Sequence, residues 1–290
     1  DRPEDAVNVI DQFTADSPEN KTFFNTLKIE PLLKLKQYDQ AITLAQSLVD
    51  ALPQEKKISA VLMLIQCYQQ AGQYDTAIQY TQKQLAKYSK SPMITTTLHQ
   101  QVVHSLEMAG RFDEAEKYIL TQHDLSDGQT KNQWQQVLTA CYFAAGRSDQ
   151  AIQLLETILA VNPNLGWANN SLGYALANSG KDFARAERLI RKALATEPGL
   201  GAYLDSLGWV LYRQGKYEQA YQYTMMAYRS MDEPDPVVLD HLGDICFQLE
   251  KIEQARYCWQ ESIRVAEKHD VTTLEPAMPQ RTINKLNRLE

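Results

Sequence analysis

Eight alanines recur along the 290-residue chain at nearly equal intervals: Ala6, Ala41, Ala77, Ala115, Ala151, Ala186, Ala220 and Ala255. Their spacings run from 34 to 38 residues. A period of this size belongs to repeat arrays, in which a unit buries its apolar face only by stacking on its neighbours. The chain therefore reads as one elongated array rather than two ordinary domains. Hydrophobic residues make up 44% of it, enough to supply a core along its whole length.

The residues around each anchor alanine recur with it. The hexapeptides are KQYDQA ending at Ala41, GQYDTA at Ala77, GRFDEA at Ala115, GRSDQA at Ala151, GKYEQA at Ala220 and EKIEQA at Ala255. Gly72, Gly110, Gly146 and Gly215 each end an apolar helical pattern, where a left-handed residue closes a helix. Two residues before the anchor in these six hexapeptides stands an acid (Asp39, Asp75, Asp113, Asp149, Glu218, Glu253), placed to meet the positive end of the next helix dipole. Twelve residues after several anchors comes a proline, Pro18, Pro53, Pro163 or Pro198, which marks where the second helix of a unit stops. The small anchor itself lets two helices approach closely.

Upstream of the anchors run Leu204-x-x-Leu207-Gly208 and Leu239-x-x-Leu242-Gly243, with Leu172-Gly173 in the unit before. Together with the helix-ending glycine, the anchor alanine and the closing proline, this pattern resembles the tetratricopeptide repeat, a helix–turn–helix unit of about 34 residues. The resemblance covers nearly the whole chain and is densest over residues 134–262. It departs from the pattern at Lys36, which stands where glycine is usual, and at the unit of Ala186, which has one extra residue after Gly180. The stretch LDSLGWVLYRQGKYEQA and the following DPVVLDHLGD look similar to the C-terminal repeats of bacterial multi-repeat proteins, many of them exported or envelope-associated.

The resemblance implies an all-α, right-handed superhelix of about seven helix pairs. Residues 1–18 read as a half repeat holding a second helix only, residues 19–270 as seven pairs, and residues 271–290 as a linker and a C-terminal capping helix. The partner of the first helix is expected upstream of Asp1, or else that helix pairs irregularly. At the far end Pro276 and Pro279 break the repeat, and Ile283, Leu286 and Leu289 share one side of a short helix suited to cover the last apolar face.

Chemistry-bearing motifs are sparse. His99, His104, His123, His241 and His269 are scattered without zinc-pair spacing and read as surface or groove residues. Gly199-Leu200-Gly201 follows a proline and no strand, so it reads as a connector and not a phosphate loop. Cys67, Cys141, Cys246 and Cys258 lie in apolar helical patterns as buried thiols, and a disulfide between Cys246 and Cys258 stays open. No nucleophile elbow, P-loop or carboxylate pair stands out, so the chain reads as non-enzymatic, with no cofactor and no metal. A net charge of −7 with dispersed Lys and Arg argues against nucleic acid as a partner. The longest apolar run, Ala60 to Ile65, is far short of the ~20 residues of a membrane span. The chain begins at Asp1 without Met, so a missing signal segment decides nothing about compartment. Oligomeric state is likewise open.

A helical wheel separates two faces of the first helix in each late unit. One carries Asn169, Leu172 and Leu176, then Leu204, Leu207 and Leu211, then Leu239, Leu242 and Cys246, and reads as core. The other carries Asn170, Tyr174, Ala177 and Asn178, then Asp205, Trp209, Tyr212 and Arg213, then Asp240, Asp244, Phe247 and Gln248. In the family it resembles, this second face lines a concave groove that holds peptides. Tyr, Trp and Arg are the types enriched at binding hot spots, so Asn170, Tyr174, Asn178, Asp205, Trp209, Tyr212, Arg213, Asp240, Asp244 and Phe247 are the candidate partner-binding residues. Asp205, Asp240 and Asp244 favour a basic or amine-bearing segment, not a carboxylate clamp. The corresponding face of an earlier unit holds the blander Gln66, Gln69 and Gln70. The expected role is a protein-interaction scaffold, the alternative a regulatory or targeting segment of a longer enzyme or receptor.

Overall fold

A computed structural model describes residues 2–16, 20–268 and 278–289. Pro18, His269 and Pro276 lie outside the described residues. Sixteen α-helices and one 3-10 turn occur among those residues, and no strand. The chain divides into two compact units, residues 1–122 and 123–290.

The first unit opens with α1 (Pro3–Asp16) and continues with three helix–turn–helix pairs. These are α2 (Lys21–Lys34) with α3 (Tyr38–Ala51), α4 (Lys57–Gln70) with α5 (Tyr74–Lys87), and α6 (Pro92–Met108) with α7 (Phe112–Asp124). Its core gathers Ile29, Leu32, Ala41, Ala45, Val61, Leu64 and Ile65 among others. Polar groups inside it pair without formal charge. Gln69 Nε2 donates to Ser105 Oγ at 2.9 Å, and His99 Nδ1 lies 2.6 Å from the Tyr118 hydroxyl.

The second unit holds four pairs and a terminal helix. These are α8 (Gly128–Ala144) with α9 (Ser148–Val161), α10 (Gly166–Ser179) with α11 (Phe183–Thr196), α12 (Gly201–Arg213) with α13 (Tyr217–Ser230), and α14 (Pro236–Gln248) with α15 (Ile252–Lys268). Helix α16 (Met278–Leu286) follows. Leu286 and the nearby Leu289 pack against Cys246, Ala255 and Trp259, so α16 caps the last pair as the sequence pattern requires.

The anchors behave as their size dictates. All seven from Ala41 to Ala255 are fully buried, and only Ala6, in α1, is partly exposed. At Gly173 the reason for smallness is visible: a methyl group there would meet Ile190 Cγ1 at 2.6 Å and the Ala186 carbonyl oxygen at 2.9 Å. Anchor Ala186 and the glycine opposite it thus let α10 and α11 touch backbone to backbone.

Apart from the one at Gly180, the turns share one hydrogen-bond pattern whatever residue fills them. Gly72 N–H donates to Gln69 O and Gln73 N–H to Tyr68 O, the paired bonds that end a helix on a left-handed residue. Lys36 and Glu250, which stand where glycine is usual, adopt the same left-handed backbone at φ 58° and make the same two bonds. The extra residue after Gly180 also has a use. It brings Asp182 to the N-cap of α11, where its carboxylate accepts from Arg185 N–H at 2.8 Å.

Candidate interaction cavity and its supports

On the second unit, α10, α12 and the start of α14 enclose a cavity of about 530 Å³. Its wall includes Asn170, Tyr174 and Asn178 from α10, Asp205 and Ser206 from α12, and Val237 and Val238 from α14, closed by Phe143 and Met231. A volume in this range, with apolar surface interrupted by polar side chains, is what small ligands and inserted side chains occupy. Four of the ten residues singled out from the sequence line it: Asn170, Tyr174, Asn178 and Asp205.

The helical wheel explains why they meet. Asn170, Tyr174 and Asn178 follow at four-residue steps on α10, hence on one face. The opposite stripe is core, as expected: Asn169, Leu172, Leu176, Leu204, Leu207, Leu211, Leu239, Leu242 and Cys246 are all buried. Asn169 is satisfied there by donating from Nδ2 to the Pro163 and Leu165 carbonyls. By contrast, Asn170 Oδ1 is sealed from solvent and has no hydrogen-bond donor.

The other six residues support the cavity's neighbours. Trp209 Nε1 donates to Asn178 Oδ1 at 2.6 Å, and its ring stacks on Tyr212 (centroids 5.0 Å) and on His241 (4.1 Å). The Arg213 guanidinium lies over the Trp209 and Phe183 rings and donates to the Asn178 carbonyl at 3.2 Å. Burial, then the nearby Asp244 carboxylate, pushes the Tyr212 phenol up to about 12. Phe247 remains exposed, its ring tilted against Trp259.

The aspartates depart from the sequence expectation that they await a basic partner. Asp205 is 6% exposed and both its oxygens face His241 Nδ1, at 3.1 and 2.9 Å. A carboxylate only accepts, so the proton of this pair sits on the imidazole nitrogen. His241, read from the sequence as a surface or groove histidine, is 1% exposed. Asp240 accepts from Thr282 Oγ1 at 2.6 Å and from Lys285 Nζ at 2.8 and 2.9 Å, and Lys285 also reaches Asp244 at 2.6 Å. Burial, aided by Asp240, raises the Asp244 carboxyl above the usual range, against the pull of Lys285. The amine these acids attract is therefore the chain's own. One signal for the Asp205–His241 pair is present in the sequence: the two stand 36 residues apart, close to one repeat period.

Gln69 is a second correction. The wheel groups it with the bland groove residues, yet it is 3% exposed and holds α4 to α6 through Ser105 and Gln101. The four cysteines are free thiols, three of them buried. Cys258 donates to Cys246, which lowers the Cys246 pKa and raises that of Cys258. Among the described residues no group of three metal-ligating side chains occurs, and no helix is long and apolar enough to cross a membrane.

The sequence profile of the tetratricopeptide repeat matches residues 32–96 and again residues 142–200. No curated protein matches the chain. Among solved structures, the chain is similar to a tetratricopeptide repeat protein from Parabacteroides merdae ATCC 43184. That match has 12% identity over 97% of this chain and 100% of the other, with a TM-score of 0.56. It is also similar to a thermophilic tetratricopeptide-repeat protein of Thermus thermophilus, at 16% identity over 65% of this chain and 97% of that one, TM-score 0.51. At such identities the likeness speaks for the fold alone.

Proposed function

Since this chain is a tetratricopeptide-repeat protein, an all-α interaction scaffold, we propose that its second unit holds an extended segment of a protein partner in the α10–α12–α14 cavity. One observation carries the reading. The cavity gathers Asn170, Tyr174, Asn178 and Asp205 around about 530 Å³. Trp209, Tyr212 and Arg213 act one layer behind, fixing Asn178 and the α12 wall. Asp240 and Asp244 hold Lys285 of α16, and Phe247 lies exposed beside Trp259. The contact surface thus lies one helix pair earlier than the aromatic cluster alone suggests.

Affinity capture with the purified chain tests this, run beside two variants. Ser171→Trp fills the cavity from its wall, and Tyr174→Ala removes the largest side chain that α10 presents to it. Truncation of such a residue at a binding site lowers affinity by about 2 kcal/mol, so both variants should lose the captured partner while far-UV circular dichroism stays helical. Gln66→Ala, on an exposed position of α4, is the matched control. Equal loss in the control, or full retention in both cavity variants, moves the contact elsewhere on the chain.

A further inference from the structure

Two thiols of the last helix pair face one another, away from the cavity. Cys246 stands one turn after Gly243 on α14, and Cys258 one turn after anchor Ala255 on α15. The helices pack closely there: a methyl group at Gly243 would run into the Trp259 ring, and Cys246 packs against Ala255 and Trp259. A disulfide needs Cα atoms within about 7 Å, and the small residues one turn away on both helices allow that approach. The Cys258 thiol donates to the Cys246 sulfur, so the two sulfurs are in contact. Both residues line one groove of about 280 Å³, with Tyr221, Met225 and Tyr257. Cys258 is partly exposed, whereas Cys246 is buried.

The surroundings also favour a thiolate. The Lys251 ammonium stands 4.3 Å from the centre of the Tyr221 ring, which lines the groove, and the nearby Glu253 is engaged by Arg256. The Cys258 hydrogen bond lowers the Cys246 pKa, burial opposes it, and the Lys251 charge adds to the lowering. Reactive thiols occupy such partly exposed, electropositive places, and inert ones are simply buried. Cys67 is of the second kind: it is buried, and burial pushes its thiol up to about 11.

We propose that Cys246 and Cys258 are a modification site, at which a low-mass disulfide of the glutathione class converts the two thiols into a disulfide that pins α14 to α15. Nothing in this depends on the α10–α12–α14 cavity. Deprotonated once, the pair holds one S–H between two sulfurs, and passing that proton to Cys246 puts the charge on the accessible Cys258. The Cys258 thiolate attacks one sulfur of the reagent RS–SR. A Cys258–SR bond forms, the reagent's S–S bond breaks, and RS− leaves and takes a proton from water. Cys246, as thiolate, then attacks the Cys258 sulfur and expels the second RS−. Two protein thiols and RSSR thus become one protein disulfide and two RSH, with two electrons passing from protein to reagent.

The full chain treated with oxidised glutathione, quenched in acid, denatured and alkylated with N-ethylmaleimide tests this by intact mass and peptide mapping. Two of the four thiols should escape alkylation without carrying glutathione, and the linked peptides should join Cys246 to Cys258. Cys246→Ala should stop at a glutathione adduct on Cys258, and Cys258→Ala should leave its other three thiols free. The map of the native chain decides the matter even if a variant does not fold. Because the bridge restricts the unfolded chain, the urea midpoint followed by tryptophan fluorescence should rise on oxidation and return with dithiothreitol. Four free thiols in excess oxidised glutathione, glutathione retained on the native chain, or a link through Cys67 or Cys141 would each overturn the site. A midpoint that does not rise overturns the pinning.

Discussion

The two units solve the same packing problem with different chemistry. In the first, charged pairs stay at the surface: Arg111 bridges Asp75 and Glu114, whose side chains are 80% and 59% exposed. Its interior polar groups, such as Gln69 with Ser105, pair as neutral donors and acceptors. The second keeps surface pairs too, such as Lys181 with Asp149, but also takes charged groups inside. Asp205 with His241 and Asp240 with Lys285 bury their carboxylates to 9% and 2% side-chain exposure. The first helices of its last three pairs also carry a mid-helix glycine, Gly173, Gly208 or Gly243, each packed against its partner helix. Seven residues before the turn, the first unit has Ile29, Ile65 and Val103 instead. Exposed ion pairs contribute about 0–1 kcal/mol, whereas a buried pair is neutral overall but severe to break. The first unit therefore depends on apolar bulk, the second on close backbone approach and on charges that must find one geometry.

The strongest way to break this contrast is Lys285→Ala. Removing the ammonium leaves Asp240 buried without its cation, which destabilises by about 3–5 kcal/mol. Helix α16 can undock and let water reach Asp240, so the observed loss is capped at the energy of seating α16. Because Trp134, Trp167, Trp209 and Trp259 all lie in the second unit, tryptophan fluorescence during urea unfolding follows that unit alone. Its midpoint should fall, and Asp240→Asn in the same chain should restore much of it. The matched change in the first unit, Arg111→Ala, followed by far-UV circular dichroism because that unit has no tryptophan, should stay within about 1 kcal/mol. Equal effects in the two units would erase the distinction drawn above.

Gly173→Ala comes next. Alanine is the better helix former by about 1 kcal/mol, yet its methyl group would stand 2.9 Å from the Ala186 carbonyl oxygen, a backbone atom that cannot swing aside. Overpacking of this kind is unfavourable by about 1–3 kcal/mol. A net drop in the fluorescence-detected midpoint is expected, and a rise would show that α10 and α11 have room to separate.

The third test is electrostatic and pH-dependent. The folded protein raises the Asp244 carboxyl above its ordinary range. Stability linked to this group is thus present in full below the unfolded value and is lost as pH rises through the folded one. Asp244→Asn mimics the protonated form and keeps an oxygen for Trp259 Nε1, which donates to Asp244 Oδ1 at 3.1 Å. The variant should melt higher by about 2–4 °C near pH 7, corresponding to ~1 kcal/mol. The gain should shrink toward zero as the solution is acidified through the raised value. A gain that persists unchanged at low pH would point to a cause other than charge.

Most of the fold was legible because period and size act locally. Anchor alanines, helix-ending residues and the buried stripe of each first helix follow from 3.6-residue geometry and a repeat near 35, and the structure places them accordingly. The cavity was legible in part, since α10 displays Asn170, Tyr174 and Asn178 on one face. What the pattern left dark were partners from another helix. A wheel shows which way Asp205 points but not that His241, one repeat on, fills the space in front of it. Nor does it reveal that Lys285 returns from α16 to occupy Asp240. An acidic residue on an outward face looks available until its long-range neighbour is known, and that neighbour is set by stacking between repeats.

The smallest effect sharpens the comparison most, because it concerns what the units share. Lys36 in the first and Glu250 in the second hold the same φ of 58° and close their helices with the same pair of backbone bonds. Both side chains are exposed. A left-handed backbone is unfavourable for a residue with a Cβ by roughly 1–2 kcal/mol. Glycine removes that strain but loses about 0.5–1 kcal/mol more conformational entropy on folding. Lys36→Gly and Glu250→Gly should therefore each stabilise by less than about 1 kcal/mol, and by the same amount. Hydrogen exchange resolved by peptide reads each turn separately: the amides of Gln37 and Lys251, which close the turns, should both exchange more slowly. Equal slowing makes the turn a local device, indifferent to how its unit packs. If Glu250→Gly gains clearly more, the buried ions of the second unit strain even its backbone, and the difference between the units reaches below the side chains.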